Sequence, residues 1–96
     1  MATFVVLGKW TDRSFEAMKD PKACEEIKKI VKDMGADIKA WYMLMGQYDE
    51  VCILEAPDAE IVARIVIALT MKYGGKSETL RAFSEEEAKK ICPSQG

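Results

Sequence analysis

The sequence contains no histidine. That excludes His-ligated haem, zinc sites built with histidine, and any Ser-His or Cys-His catalytic pair. Cysteine is scarce: Cys24, Cys52 and Cys92 make an odd number, with no C-x-x-C spacing. Such usage fits a reduced compartment, so a cytoplasmic protein with no metal site and no cofactor is the expectation. Long apolar runs are missing too. The longest candidate, 61–71, is interrupted by Arg64, well short of the ~20 apolar residues that cross a bilayer. The opening "MATFVVLGKW" has neither the basic start nor the unbroken apolar stretch of a secretory signal. Neither sign of charge dominates: 14 Lys+Arg against 16 Asp+Glu leave a net −2, which argues against a nucleic-acid partner. Lysines do gather between Lys19 and Lys32, but Glu25 and Glu26 lie among them and Glu25 sits i,i+4 from Lys29. That spacing describes a solvated helix face.

What is present is enough for one core. Residues 1–96 read as a single domain with 49% apolar and 31% charged residues. Thr3–Trp10 alternates with Phe4 and Val6 on one side and Val5 and Leu7 on the other, a strand apolar on both faces. A short helix is expected around Ser14–Lys19. After it, Asp20 and Pro21 suggest a cap and first position of a main helix that ends at Met34, with Ile27, Ile30, Val31 and Met34 as its buried stripe. Gly35 suits the left-handed position past its end. Ala36–Met45 and Val51–Ala56 read as strands, the second again apolar on both faces. Asp58 is the expected cap of a helix reaching Tyr73, apolar nearly all round and so expected to be covered on more than one side, and Gly74-Gly75 closes it. Ser77–Phe83 is a fourth strand, "SEEE" from Ser84 opens a C-terminal helix with a capping box, and "PSQG" is a loose tail. The order is strand, helix, strand, strand, helix, strand, helix. This is an α+β, ferredoxin-like βαββαβ arrangement with a four-stranded antiparallel sheet in the order 4-1-3-2.

Both crossover helices of that topology cover the same face of the sheet. The other face would leave Val5, Leu7, Val51 and Ile53 in water, and at ~25 cal/mol per Å2 their burial is worth several kcal/mol. A patch of this kind marks an interface, so a face-to-face homodimer is expected, with further assembly left open.

"FVVLGKWTD", "YMLMGQYDEVCILEAPD" and "ETLRAFSEEE" together resemble the GYD-domain family over nearly the whole chain. The family's Gly-x-Tyr-Asp hairpin corresponds to Gly46, Tyr48 and Asp49. The resemblance implies the dimeric α/β-barrel superfamily, and it implies no established activity.

The hairpin suggests where a site could lie. With Gly46 and Asp49 flanking a two-residue loop, Tyr42 would pair with Ile53 and Ala40 with Glu55. The dimer face would then carry Val5, Leu7, Val51, Ile53 and Glu55. Arg81 would reach Glu55 there as an interface ion pair, with Leu80 turned to the helix side. Lys9, Tyr42, Tyr48, Asp49 and Thr79 are the ligand-binding candidates near the "GQYD" end. Each also has a plainer reading. Asp49 can close its own turn, Gly46 can serve backbone freedom, Lys9 can be a solvated rim charge, and Cys52 reads as a core thiol. Catalytic residues are not identifiable. Three functions fit: a dimeric small-molecule-binding module, a cofactor-independent monooxygenase or isomerase using Tyr42, Lys9 or Asp49 for proton transfer, and a structural oligomerisation module without ligand. An enclosed pocket with convergent polar groups separates the first two from the third.

Overall fold

A computed structural model describes residues 1–92; the tail expected at 93–96 lies outside the described residues. The elements are β1 (Ala2–Lys9), α1 (Asp12–Met18), α2 (Ala23–Asp33), β2 (Asp37–Met43), β3 (Glu50–Ala56), α3 (Ala59–Tyr73), β4 (Lys76–Ala82) and α4 (Glu85–Ile91). The strands form one antiparallel sheet in the order β2-β3-β1-β4, which is the expected 4-1-3-2 read from the other edge. Phe4 and Leu54 pair across the two central strands and pack with Val31, Val62 and Ile65 of α2 and α3. This is the ferredoxin-like core, on one side of the sheet.

Local chemistry sets most boundaries. Asp58 accepts the Ile61 N–H at 2.9 Å and starts α3, as expected of an N-cap. Ser84 and Glu87 exchange bonds in a capping box at α4. Gly35 has φ 98°, and the Ala36 N–H reaches back to the Val31 carbonyl, ending α2 in a Schellman-type turn. Asp20 does not cap α2 directly. Its carboxylate takes the Lys22 N–H at 2.9 Å and its carbonyl takes the Ala23 N–H at 3.0 Å, so Asp20-Pro21 forms a tight turn and the helix begins after Lys22. The cover expected on more than one side of α3 is also missing, since Ile67 and Met71 are 60% and 73% exposed.

Two register findings correct the expected faces. Tyr42 pairs with Val51 and Ala40 with Ile53, two places away from the two-residue-loop register. The β2–β3 connection is therefore longer, from Leu44 to Asp49. A shift of two preserves the pleat, so Tyr42, Val51 and Ile53 still share the face of Val5 and Leu7. A bulge at Lys39 breaks the alternation of β2.

β4 is the second correction. Val5 pairs with Leu80 and Phe4 with Arg81, so Leu80 lies on the open face while Thr79 and Arg81 lie on the helix side. The register is set by the tight delivery of the strand: Gly74 and Gly75 both have positive φ, and a Cβ on Gly75 would stand 2.9 Å from the Lys9 carbonyl. On this edge the helix side is closed by Arg81 itself, whose guanidinium lies 5.6 Å from the Phe4 ring and 4.4 Å from the Phe83 ring. The expected Glu55–Arg81 pair is therefore absent, because the two residues occupy opposite faces. Glu55 instead approaches Lys39 at 3.6 Å, and Arg81 approaches Glu87 at 3.7 Å.

In a double-mutant cycle, the losses from Glu55→Ala and Arg81→Ala are expected to add within about 0.5 kcal/mol, as for sites without a shared partner. Urea unfolding of the wild type, both single variants and the double variant measures this. A coupling above about 1 kcal/mol would place the two side chains together after all.

Candidate functional site

The hairpin does more than join two strands. Gly46 has φ 110° and open space where a Cβ would stand, so its role is the backbone bend. From that bend the chain turns back over the end of β1. The Asp49 N–H donates to the Gly8 carbonyl at 2.8 Å and the Leu44 N–H to the Asp49 carbonyl at 2.7 Å. The Asp49 carboxylate accepts the Trp10 N–H at 2.7 Å. Asp49 thus binds a backbone N–H, as expected of a turn aspartate, but that of β1's exit and not of its own turn. Tyr48 donates its hydroxyl to Glu78 of β4 at 2.8 Å, with the Lys9 ammonium 5.7 Å from its ring. The bond to Glu78 holds the Tyr48 phenol above its ordinary pKa. The tip of the hairpin is therefore tied to both strands beyond it.

Next in sequence, Glu50 points to the helix side, where Gly8 lies opposite it. A Cβ on Gly8 would fall 2.7 Å from Glu50 Cγ, so the glycine is what lets this side chain lie across the central strand. Glu50 Oε2 accepts the Trp10 indole N–H at 2.5 Å and Oε1 accepts the Trp41 indole N–H at 2.9 Å. The two indoles stack at 6.4 Å and 15°, and Phe15 of α1 meets Trp10 edge-on at 5.1 Å. Trp41 is on this side because of the Lys39 bulge. Without the extra residue, the alternation running up from Ile38 would point it to the other face.

Trp10, Trp41 and Glu50 stand at the wall of a cleft of about 330 Å3 between the sheet and the helices. Its interior is apolar, with Val6, Ile27, Val31, Ile38, Val66 and Leu69 among the lining residues. Cys52 also lines it, and burial, with a smaller contribution from the Glu50 charge, pushes its thiol up to about 11. At the C-terminal end of α3, Tyr73 donates to Glu26 at 2.7 Å, clipping α3 to α2. Burial and that bond push the Tyr73 phenol up to about 12. Arg13 of α1 donates to the Lys72 carbonyl at 3.0 Å and to that of Met71, closing the C-terminal end of α3.

The candidates from sequence divide accordingly. Lys9, Tyr48 and Asp49 come together at the hairpin, and Lys9 and Tyr48 edge a small depression of about 130 Å3 with Leu7 and Glu78. Tyr42 stands apart on the open face, 61% exposed. Thr79 is on the helix side of β4, opposite Val6, and not beside Lys9 at the hairpin. Val5, Leu7, Val51, Ile53 and Glu55 share the open face and are half-buried. The cleft residues Gly8, Trp10, Trp41 and Glu50 were not legible as a site. The available signals were two tryptophans in a 96-residue chain and a glycine inside an otherwise apolar strand.

A profile of the GYD domain matches residues 4–92. A protein of Thermus thermophilus named glutamine synthetase and cystathionine beta-lyase binding protein is 37% identical over 85 residues, covering 86% of this chain and 90% of that protein. Among solved structures, that of TTHA0845, also from Thermus thermophilus, superposes with a TM-score of 0.56 at 22% identity, covering 88% of this chain and 95% of the other. The crystal structure of FFRP-DM1 gives 0.54 at 18%, covering 86% and 100%. At those identities the two structures bear on the fold alone.

Two outcomes follow from the geometry. Asp49→Ala is expected to cost about 1.5–3 kcal/mol in chemical denaturation, since it strands the Trp10 N–H, whereas Tyr48→Phe should lie within about 0.5 kcal/mol of wild type. Equal stability of Asp49→Ala and wild type would show that the carboxylate does not hold the strand end. For the thiols, a disulfide reagent near neutral pH should label Cys24 and Cys92, which are exposed, and reach Cys52 only on unfolding or as pH approaches about 11. Fast labelling of all three would contradict the buried placement of Cys52.

Proposed function

This chain belongs to the GYD domain family, and from that premise we propose that it is a dimeric module that binds a small molecule in the cleft between its sheet and its helices. The observation that carries this reading is the cleft itself, an apolar space walled at one end by the Trp10–Glu50–Trp41 group. Ligand sites combine an apolar lining with a few fixed polar groups, and here two indole N–H groups hold one carboxylate at the cleft. A module serving oligomerisation alone gains nothing from that space, which side chains would fill with favourable contacts.

Dimerisation uses the opposite face. Val5, Leu7, Val51 and Ile53 are half-buried, and Leu80 and Tyr42 beside them are 42% and 61% exposed. A second copy laid face to face would bury this surface, and the cleft would stay accessible on the outer side of each subunit.

A second reading is favoured by the Thermus relative, whose name states that it binds two enzymes. Carried to this chain, it makes the module a docking protein, with Ile67 and Met71 of α3 as exposed apolar residues outside the sheet. The two readings are compatible, since a ligand in the cleft lies directly under α3.

Sedimentation equilibrium at micromolar concentration is expected to give twice the chain mass, and Val5→Asp or Ile53→Asp to abolish the dimer by burying an unpaired charge. A monomer at those concentrations would overturn the face-to-face arrangement. In a thermal-shift screen of metabolites, a ligand of the cleft should raise the Tm of the wild type, by mass action on the folded state, and not that of Ile27→Trp, which fills the cleft. Equal shifts in both proteins would place the binding elsewhere.

A further inference from the structure

Glu50 carries a negative charge that the protein surrounds but does not neutralise. It lies half-buried at the wall of an apolar cleft. Its two oxygens receive one indole N–H each, yet no lysine or arginine forms an ion pair with it among the described residues. Two neutral donors orient a carboxylate and satisfy part of its hydrogen-bonding capacity, which extends to about four acceptor sites. They leave its charge uncompensated, and a charge drawn out of water is costly until it is paired.

The remaining polar groups of the cleft do not supply the missing charge. Lys9, Lys28, Lys39 and Lys76 edge the opening but are exposed; Lys9 lies 5.7 Å from the Tyr48 ring, and Lys39 is engaged by Asp37 and Glu55 at 3.8 and 3.6 Å. A metal ion is not favoured, since no group of three or more acidic or cysteine side chains among the described residues is placed to hold one. What the site offers is one oriented carboxylate, two indoles whose π-faces attract cations, and an apolar body of space leading away from them.

We infer that the cleft takes a ligand with a protonated amine and an apolar body, the ammonium donating to Glu50 between Trp10 and Trp41 and the apolar part lying along Ile27, Val31 and Val66. This rests on the reading of the cleft as the ligand site and names the chemistry that the site selects. The ammonium provides donors for the acceptor sites that the indoles leave, and it neutralises the carboxylate where water is partly excluded. Because the rim lysines are near the opening, a free amine and an amino acid share this chemistry, the second adding a carboxylate for the lysines.

The chain contains two tryptophans, and both donate to Glu50, so intrinsic fluorescence reads the site directly. Wild-type protein is titrated with 2-phenylethylamine, its neutral isostere 2-phenylethanol, phenylacetate and L-phenylalanine, with calorimetry as an independent readout. The amine is expected to bind at least about tenfold more tightly than the alcohol, the scale of a hydrogen bond to a charged group, and phenylacetate to bind most weakly. L-Phenylalanine tighter than the amine identifies an amino acid as the natural class; weaker binding identifies a free amine. Glu50→Gln should erase the preference for amine over alcohol. Should that variant fail to fold, the wild-type ranking decides by itself. Alcohol or phenylacetate binding as well as the amine overturns the inference and leaves the cleft a ligand site. Binding by none of the four probes overturns the inference and the cleft reading together.

Discussion

Where β1 ends, the Asp49 carboxylate takes the Trp10 N–H and the Asp49 N–H gives itself to the Gly8 carbonyl. Much of the rest depends on this pair of bonds. They fix the β2–β3 connection to the central strand, so that Glu50, one residue on, leaves at a defined angle across Gly8. They fix Trp10 at the start of the turn into α1, so that its indole meets Glu50. The Gly-x-Tyr-Asp stretch is thus a clasp, with the glycine supplying the bend, the aspartate gripping β1 and the tyrosine reaching β4. Its contribution to a site is indirect: it positions the residues beside it.

The sheet separates two tasks by the pleat. Residues of odd number on β1 and β3, Val5, Leu7, Val51 and Ile53, face away from the helices, while Phe4, Val6, Cys52 and Leu54 between them face the core. Period-two alternation assigns alternate residues of one strand to opposite faces, so the doubly apolar character of these strands serves a core on one side and exposed apolar surface on the other. Changes on one side can leave the other intact, provided the backbone register holds.

Element types and their order were legible because each has strong local signals: Asp58 and Ser84 as caps, Gly35 and Gly74-Gly75 as ends, and the alternation of the two central strands. The sheet order followed from handedness. Reading failed where register depends on turn geometry. "GQYD" resembles a two-residue hairpin loop, but its aspartate bonds to another strand, and β2 leaves the ladder two residues earlier, at Met43, opposite Glu50. For β4, Leu80 reads as a helix-side residue because it is the large apolar residue of "KSETLRA". The actual face follows from the glycine pair that delivers the strand, and Arg81 covers Phe4 in its place. The tryptophan–glutamate group was hidden for a related reason. Trp10 lies 40 positions from Glu50 and Trp41 lies 9 from it, so no local pattern in the sequence brings the two indoles to one carboxylate.

The bulge at Lys39 has a second consequence, for what the protein can pair with. β2 is one edge of the sheet, and an exposed edge offers unpaired backbone groups to any passing strand. At Lys39 the spacing of those groups is broken, and a charged side chain held by Asp37 and Glu55 stands there. The opposite edge, β4, carries Lys76, Glu78 and Arg81. Neither margin suits the regular backbone ladder on which strand-by-strand growth depends. A partner laid on the flat of the sheet would meet its open apolar face and close after one copy, whereas association through the edges would propagate into a fibre. The irregularity in β2 thus disfavours growth through that edge.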